Sequence, residues 1–381
     1  MVECPFSLGL PLTGSTAEAR KLRCQASSPM RSLCIRKRWQ KRRPLAQEPR
    51  SGPLLILCSC QAGAAIGSED NSSDDLFPAR LHALADCYPS LGLTSDADEV
   101  LHDPDAGVVA IITPVAAHYA LAHEAPLAGK DVLVEKPLAA TVEQCEQLIA
   151  LAEERDRVLM VGHLFRFNPG IRYVKELLDG AEIGRLMSIH ATRINLGPVR
   201  TDVNALWDLG THDLSIFRYW LGADPTSVTA SGLRHLAPDI EDTVVATYAY
   251  PNKVMATIHA SWLHPRKVRE ITVVGDKKMV VWDDTNIGEP IRIYDVGVDR
   301  GADRQVDTFA AFHLSYRHGN VTIPPVEGAE PLATECQHFI DCVRRRERPL
   351  TDGQAGLAIV RALTATDESL RRHSRAVAVG K

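Results

Sequence analysis

Short apolar runs alternate with helical patterns through the first half of the chain. Runs of this kind, separated by helices, are typical of buried parallel strands joined by crossover helices. The apolar runs are 53–58, 108–112, 132–135 and 158–161, and the helical patterns near them are 116–127, 141–155 and 168–180. We therefore predict an α/β domain with a parallel sheet over residues 53–185, incomplete at its N-terminal end.

The pattern changes near residue 186. From there the strands alternate apolar and polar residues or are β-branched, and tight turns such as 250–253 join them, which predicts antiparallel hairpins. The predicted strands are 187–194, 226–234, 243–250, 254–262, 268–274, 279–282 and 291–296, with helices over 205–221, 331–346 and 352–371. Residues 186–381 should therefore form an α+β domain with a large, mostly antiparallel open sheet. Its C-terminal helices are expected to pack back on the first domain.

Residues 1–52 differ from both domains. A basic run, 36–43, lies among prolines and serines and has no amphipathic period. The apolar stretch 54–57 comes too late for a secretory signal. We expect a disordered or non-native segment, and the alternative is a basic arm that binds nucleic acid or directs targeting.

The composition agrees with two domains, because 45% of the 381 residues are hydrophobic and can bury a sizeable core. The net charge of -5 gives no reason to expect a nucleic-acid partner, and no apolar run approaches the roughly 20 residues of a membrane span. Five of the nine cysteines lie within the first sixty residues, and the others are scattered without metal-ligand spacing. The sequence therefore predicts a cytoplasmic protein without a metal site and without a membrane partner.

Polar clusters follow two of the predicted parallel strands, at 113–118 and at 135–137. In an open α/β sheet, ligands bind at the edge where the strands end. A residue before proline is pushed toward extended geometry, which would hold the side chain of Lys136 at the strand tip. Lys136 is therefore the first catalytic candidate, and the alternative is a solvated lysine that closes a strand.

A dinucleotide-binding fold needs G-x-G-x-x-G after its first strand, and that fingerprint is absent; 63–67 supplies only a poor glycine turn. An acidic residue at the end of the second strand would bind the ribose hydroxyls. Asp75 or Asp74, which precedes a predicted helix, could do this. Asp75 is our cofactor-binding candidate, and a helix N-cap is the alternative.

Asp208 and His212 are four residues apart on the predicted helix 205–221, so they project from one face. A carboxylate can orient and tune a histidine that transfers protons near neutral pH, although a surface or capping pair is the alternative. The sheet of the second domain is expected to face the strand tips of the first across a cleft. The candidate substrate-binding residues near that helix are Arg193, Asn195, Arg200, Trp207 and Asp213. The motifs of zinc peptidases, serine hydrolases and P-loop enzymes are absent.

Four segments together resemble the Gfo/Idh/MocA oxidoreductases, the family of glucose-fructose oxidoreductase and inositol dehydrogenase. They are Thr113-Pro-Val-Ala-Ala-His118, Val134-Glu-Lys-Pro137, Gly162-His-Leu-Phe-Arg-Phe-Asn-Pro169 and Trp207-Asp-Leu-Gly-Thr-His-Asp-Leu-Ser215. The order and spacing agree from about Asp75 to the end. The resemblance implies a Rossmann domain that binds NAD or NADP, and a C-terminal α+β domain whose sheet often mediates homo-oligomer contacts.

The resemblance also implies roles for individual residues. Lys136 is similar to the family's catalytic-site lysine, His212 to its acid–base histidine, and Asp208 to the aspartate one turn before it. The residues that resemble the cofactor side of the family's site are Thr113, Pro114, His118, Glu135, His163 and Arg166. The segment 195–204 is similar to members that act on nucleotide-activated sugars.

The chain departs from the family at its N-terminus, where neither an opening strand nor the glycine fingerprint is recognisable. We hypothesise that residues 1 to about 70 are translated out of frame, or from a wrong start; a G-x-G-x-x-G in another frame of the coding DNA would support this. The expected function is oxidation or reduction of a hydroxyl or keto group on a sugar, nucleotide sugar or cyclitol. The alternatives are an impaired member that acts as a binding or scaffold protein, and a relative that uses transient oxidation to cleave glycosides.

Overall fold

A computed structural model describes residues 33–37, 54–58, 91–94, 96–299 and 315–380. The predictions at Asp74, Asp75 and the glycine turn 63–67 lie outside the described residues. The chain divides into two compact units. The first comprises Met1–His163, Pro198–Arg200 and Leu332–Arg361, and the second comprises Leu164–Gly197, Thr201–Pro331 and Ala362–Lys381.

The described residues form seven α-helices and fifteen strands. The helices are α1 Ala97–Leu101, α2 Val115–Leu127, α3 Val142–Glu154, α4 Pro169–Asp179, α5 Thr211–Leu221, α6 Pro331–Arg345 and α7 Gly353–Arg371. The first six strands are β1 Leu33–Lys37, β2 Leu54–Cys58, β3 Leu91–Thr94, β4 Val108–Ile112, β5 Asp131–Glu135 and β6 Leu159–Gly162. The others are β7 Leu186–Ile194, β8 Ser227–Leu233, β9 Thr243–Ala249, β10 Met255–Ser261, β11 Val268–Gly275, β12 Met279–Asp283, β13 Ile291–Asp299, β14 Ser315–Thr322 and β15 Val377–Ala378. None of the helices in this described part of the chain has the length and apolar character that a bilayer crossing requires.

The first unit holds a six-stranded sheet with the order β3-β1-β2-β4-β5-β6. Strands β2, β4, β5 and β6 run parallel, which confirms the predicted parallel sheet. Strand β1 is antiparallel to both of its neighbours. It is the described part of the segment 1–52, whose other residues lie outside the description.

Local capping rules explain where several helices of the first unit begin. The Thr141 hydroxyl accepts a hydrogen bond from the Gln144 amide at the start of α3, as in a capping box. The side chain of Asp96 caps α1 by accepting from the amide of Asp98. Asp96 can cap the helix because its carboxylate, one residue before the first helical position, reaches the amide of the second helical residue.

The C-terminal segment of the chain completes the first unit. Leu332–Arg361 belongs to it, and the Val161 amide of β6 donates to the Thr351 carbonyl at 2.7 Å. Gly353 and Gly356 begin α7 where a side chain would collide with the unit's core. A Cβ on Gly356 would lie 2.8 Å from a methyl carbon of Val161, so glycine permits the close packing of α7 there.

The second unit holds a nine-stranded sheet with the order β14-β13-β12-β11-β7-β10-β9-β8-β15. Strands β7 and β10 pair in parallel, and the other pairs are antiparallel, so the predicted mostly antiparallel sheet is confirmed. Alternate residues of the central strands are buried, as a sheet covered on one face requires. Strands β14 and β15 were not predicted, because neither 315–322 nor 377–378 shows a clear apolar alternation.

The division between the units falls at 163/164, whereas the sequence predicts it at 185/186. Helix α4 therefore belongs to the second unit. Its start is the predicted one: the Asn168 side chain accepts from the amides of Gly170 and Ile171, and Pro169 occupies the first helical position. The Trp220 indole of α5 donates to the Ile171 carbonyl at 2.9 Å. This hydrogen bond attaches α4 to α5, and the helical pattern alone could not reveal it.

Candidate functional site

Three parallel strands of the first unit bring predicted cofactor-side residues to one edge. Thr113 follows β4, Glu135 ends β5, and His163 follows β6. Because β4, β5 and β6 are parallel neighbours, their carboxyl ends meet at the same edge of the sheet. Pro114 and Lys136 come directly after the first two of these residues, so the structure groups five of the predicted residues.

His118 joins two of these strand ends. It is buried on α2, with its Nδ1 2.8 Å from the Pro137 carbonyl oxygen and its Nε2 2.8 Å from the Thr113 carbonyl oxygen. Burial lowers the pKa of His118, the two carbonyl oxygens oppose that shift, and the positive charges of Lys136 and Arg200 add to it. His118 therefore holds the loops after β4 and β5 together, and its contacts are with the protein backbone.

The carboxylate of Glu135 lies beside the backbone of Lys136. The Lys136 amide donates to Glu135 Oε2 at 3.1 Å, and the Lys136–Pro137 peptide bond is cis. Glu135 pairs with Gly162 across β5 and β6, and a Cβ on Gly162 would lie 3.2 Å from the carboxyl carbon of Glu135. The absence of a side chain at Gly162 thus leaves room for the Glu135 carboxylate next to Lys136.

The hydroxyl of Thr113 is suited to a ligand. Its oxygen is buried and has no hydrogen-bond partner among the described residues. Buried hydroxyls are almost always bonded, so this one calls for a partner that the described protein atoms do not supply. It lies at the strand edge where an α/β sheet binds nucleotides, and the residues present there fit a dinucleotide cofactor.

The second unit presents the predicted acid–base pair at the start of α5. Leu206–Gly210 is a π-helical turn that carries Asp208, and His212 follows in the first turn of α5. Both side chains are half-buried. The His212 ring meets the Phe165 ring edge-on, with centroids 5.0 Å apart, and Asp208 Oδ2 accepts from the Trp262 indole at 3.0 Å. The predicted helix is confirmed, with a π turn at its N-terminal end.

Arg193 and Asp213 were predicted to bind substrate, and the structure pairs them with each other. Arg193 Nη2 lies 2.8 Å and Nε 3.0 Å from the two carboxylate oxygens of Asp213. The side chains are 4% and 2% exposed. The guanidinium also lies over the Phe165 ring, 4.7 Å from its centroid. The buried pair therefore links β7 to α5, and substrate binding by either residue stays a prediction.

Trp207 was also predicted to bind substrate, and it is buried. Its indole donates to Asp367 Oδ2 at 2.8 Å, and Asn204 donates to Asp367 Oδ1 at 3.0 Å. Burial raises the pKa of Asp367, and these two hydrogen bonds oppose the shift. Asp367 and Trp262 were missed by the sequence, because they are 160 and 54 residues from their partners and no local pattern marks them.

The remaining predicted residues are divided between the units. Arg166, expected on the cofactor side, belongs to the second unit, where it is buried and donates to the Ser215 hydroxyl at 3.0 Å. Asn195 follows β7, and its amide donates to the Ser261 carbonyl. Arg200 is counted with the first unit. The other predicted substrate-binding residues belong to the second unit.

Each unit thus contributes a different chemical capability. The strand ends of the first unit carry an ammonium, a carboxylate and a buried hydroxyl at the edge suited to a nucleotide. The second unit carries an imidazole one helical turn after a carboxylate whose orientation is held by an indole. An imidazole can take or give a proton near neutral pH.

Two family models match the chain. The model described as "Oxidoreductase family, NAD-binding Rossmann fold" matches residues 60–163, and the model described as "GFO/IDH/MocA C-terminal domain" matches residues 171–281. The Rossmann-fold match begins at residue 60, whereas the resemblance of the motifs to the family begins at about Asp75.

Curated relatives are similar over most of their length. The UDP-N-acetylglucosamine 3-dehydrogenase of Acidithiobacillus ferrooxidans is 28% identical over 276 residues, which cover 70% of this chain and 78% of that protein. The scyllo-inositol 2-dehydrogenase (NAD(+)) of Bacillus subtilis is 26% identical over 298 residues, or 72% and 78%. The D-xylose 1-dehydrogenase (NADP(+)) of Haloarcula marismortui is 26% identical over 303 residues, or 72% and 77%. A solved structure of the first of these proteins has a TM-score of 0.62 at 26% identity, covering 74% of this chain and 84% of that chain.

Proposed function

Since the chain belongs to the Gfo/Idh/MocA family of oxidoreductases, we propose that it is an NAD(P)-dependent dehydrogenase of a polyhydroxylated substrate. The observation that carries this proposal is the joint presence of a nucleotide-binding strand edge bearing Lys136 and a helix start bearing Asp208 and His212. The substrate class is a sugar, nucleotide sugar or cyclitol. Three relatives support it, which are named as dehydrogenases of UDP-N-acetylglucosamine, scyllo-inositol and D-xylose.

The chain's own residues handle the proton. NAD or NADP, when bound, supplies the hydride acceptor for the carbon that bears the hydroxyl. His212 takes the hydroxyl proton, Asp208 orients the imidazole, and the Lys136 ammonium stabilises the developing negative charge on the oxygen. At the strand edge, the Thr113 hydroxyl and the Glu135 carboxylate offer hydrogen bonds to the nucleotide.

The proposal includes both NAD and NADP, because the residues that distinguish the two follow the second strand of such a fold, outside the described residues. Relatives of both kinds support leaving both in the proposal. We further propose a cytoplasmic location and a homo-oligomer formed through the sheet β7–β14. Size measurement of the purified chain tests the homo-oligomer.

A nucleotide titration of the full chain tests cofactor binding. A ligand at 100 times its Kd adds about 2.7 kcal/mol to the free energy of unfolding. We expect NAD⁺ or NADP⁺ to raise the melting temperature accordingly. No shift with either nucleotide at millimolar concentration would contradict cofactor binding and favour a binding or scaffold protein.

Turnover with a substrate panel tests the chemistry. The panel is UDP-N-acetylglucosamine, scyllo-inositol, myo-inositol and D-xylose. Turnover is measured by nicotinamide absorbance, and chromogenic glycosides are added to detect glycoside cleavage.

His212→Asn should lower kcat by about 10²–10⁴-fold with nucleotide affinity unchanged, because it removes only the acid–base group. Lys136→Ala should lower both kcat and the affinity for nucleotide. The matched control is His190→Asn, whose ring bonds to Ser188 and Thr257 on β7 and β10 and should not affect kcat. Unchanged turnover in His212→Asn would remove His212 from the mechanism.

A further inference from the structure

The helix that carries the acid–base pair begins in an unusual way. Leu206–Gly210 is π-helical and leads directly into α5. The π-helix is rare and occurs mostly as single turns, frequently at functional sites. The side chains that bond to this turn therefore show which of its groups are held in place.

Two groups hold this turn from the rest of the second unit. On one side Asp367 accepts from Trp207 and from Asn204, and the Asn204 side chain in turn accepts from the Trp207 amide at 3.1 Å. On the other side the Trp262 indole donates to Asp208 Oδ2 at 3.0 Å. The first group holds the backbone of the turn. The second reaches the carboxylate itself.

Trp262 is fixed in its own surroundings. Its side chain is among the largest that are fully buried, with a 1% exposed fraction. Its amide donates to the Asp242 carbonyl at 3.0 Å, and its carbonyl accepts from the Gly197 amide at 3.4 Å. An indole has one N–H donor and no acceptor, so the direction of this hydrogen bond is certain. Asp208 Oδ2 is therefore held by a rigid donor.

We propose that Trp262 is a positioning residue for proton transfer at His212, acting through the Asp208 carboxylate. The proposal rests on the proposed function, in which Asp208 orients the imidazole. With Oδ2 bound by the indole, the carboxylate plane has a defined direction. Trp262 itself needs no contact with the substrate or the cofactor.

Trp262→Phe in the full chain tests this assignment. It keeps an aromatic ring and removes the N–H. We expect kcat to fall about ten- to a hundredfold, the range expected for loss of one hydrogen bond to a charged group, while the KM for nucleotide changes less than about twofold. The matched control is Trp220→Phe, whose buried indole donates to the Ile171 backbone carbonyl and should leave kcat unchanged. If Trp262→Phe fails to fold, benzothienylalanine at position 262 removes the N–H with the ring volume retained.

A double-mutant cycle distinguishes positioning from structural support. If Trp262 acts through Asp208, Trp262→Phe should lower kcat in the native background and change it less than about twofold in the Asp208→Asn background. Equal losses in both backgrounds, or native kcat in Trp262→Phe, would overturn the assignment while the dehydrogenase function stands. A wild-type chain inactive on the whole panel would overturn both, since there would be no proton transfer for Trp262 to support.

Discussion

At the scale of single residues, His118 shows how a buried polar side chain organises a binding edge. Its ring lies between the carbonyl oxygens of Thr113 and Pro137, which follow neighbouring strands. A neutral imidazole donates from one nitrogen only, so one of these contacts is a full hydrogen bond unless the ring is protonated. Burial decides in favour of the neutral ring, because it lowers the pKa of His118.

This shift predicts a pH dependence of stability. The pKa of His118 is lowered from 6.5 in the folded chain, so below about pH 6.5 the unfolded chain binds a proton that the folded chain does not. The contribution of neutral His118 to the free energy of unfolding is therefore fully present above that pH and is lost as the pH falls. We expect the free energy of unfolding in urea to fall more steeply between pH 7.5 and pH 5, both approximate limits, in the native chain than in His118→Asn. His373→Asn, at an exposed position, should keep the native slope. Parallel curves for the native chain and His118→Asn would contradict the shift.

The positions of some residues could be predicted from their neighbours in the sequence, and the partners of others could not. The helical pattern that begins at 168 and the place of Lys136 after β5 are as predicted, because helix starts and strand ends depend on residues a few positions away. The roles of Lys136, Asp208 and His212 stay predictions that kinetics must test. The partner of Asp208 could not be predicted, because the position of Trp262 depends on the register of β10 against β7 and β9.

At the scale of elements, one buried ion pair joins a strand to a helix. Arg193 on β7 and Asp213 on α5 bond through two of the guanidinium nitrogens, with the Phe165 ring against the guanidinium. Removing one member of a buried pair leaves an uncompensated charge, which typically costs about 3–5 kcal/mol. The pair therefore fixes the position of α5, the helix that carries His212 in its first turn.

Asp213→Asn should lower the free energy of unfolding by about 3–5 kcal/mol in urea titrations, because Arg193 stays buried without its counter-charge. The matched control is Asp224→Asn, which removes the partner of Arg218 near the other end of α5. That pair is substantially exposed, so its loss should cost less than about 1 kcal/mol. Equal effects of the two substitutions would show that the buried pair does not carry the attachment of α5.

Element types and approximate bounds were predictable from periodicity, and pairings were not. The alternating strands of the second unit and the buried strands β4 to β6 appear where their patterns place them. The parallel pair β7 and β10 was not predicted, since alternation is the same in parallel and antiparallel neighbours. The π turn at 206–210 was not predicted either, because its residues follow an ordinary helical pattern.

At the scale of the whole molecule, the chain path makes the first unit discontinuous in sequence. Leu332–Arg361 belongs with Met1–His163, although most of the second unit lies between them in the chain. Arg346, just after α6, bonds through Nη1 to both carboxylate oxygens of Asp131 at 2.9 and 3.0 Å, and through Nη2 to the Asp156 carbonyl. Asp131 is buried at the start of β5 and also accepts from the Val158 amide. One side chain from the C-terminal segment thus ties the beginning of β5 to the loop before β6.

Arg346→Met should therefore destabilise strands β5 and β6 of the first unit. The substitution leaves the buried Asp131 carboxylate with the Val158 amide but without its counter-charge, which should cost about 1.5–3 kcal/mol. Because every contact involved lies in the first unit, amide hydrogen exchange should speed up in β5 and β6 and stay native in β7 and β10. Arg345→Met removes a neighbouring exposed arginine that pairs with Glu347 and should leave exchange in all four strands unchanged. If Arg346→Met left β5 and β6 as protected as in the native chain, the Arg346–Asp131 pair would not be what stabilises those strands.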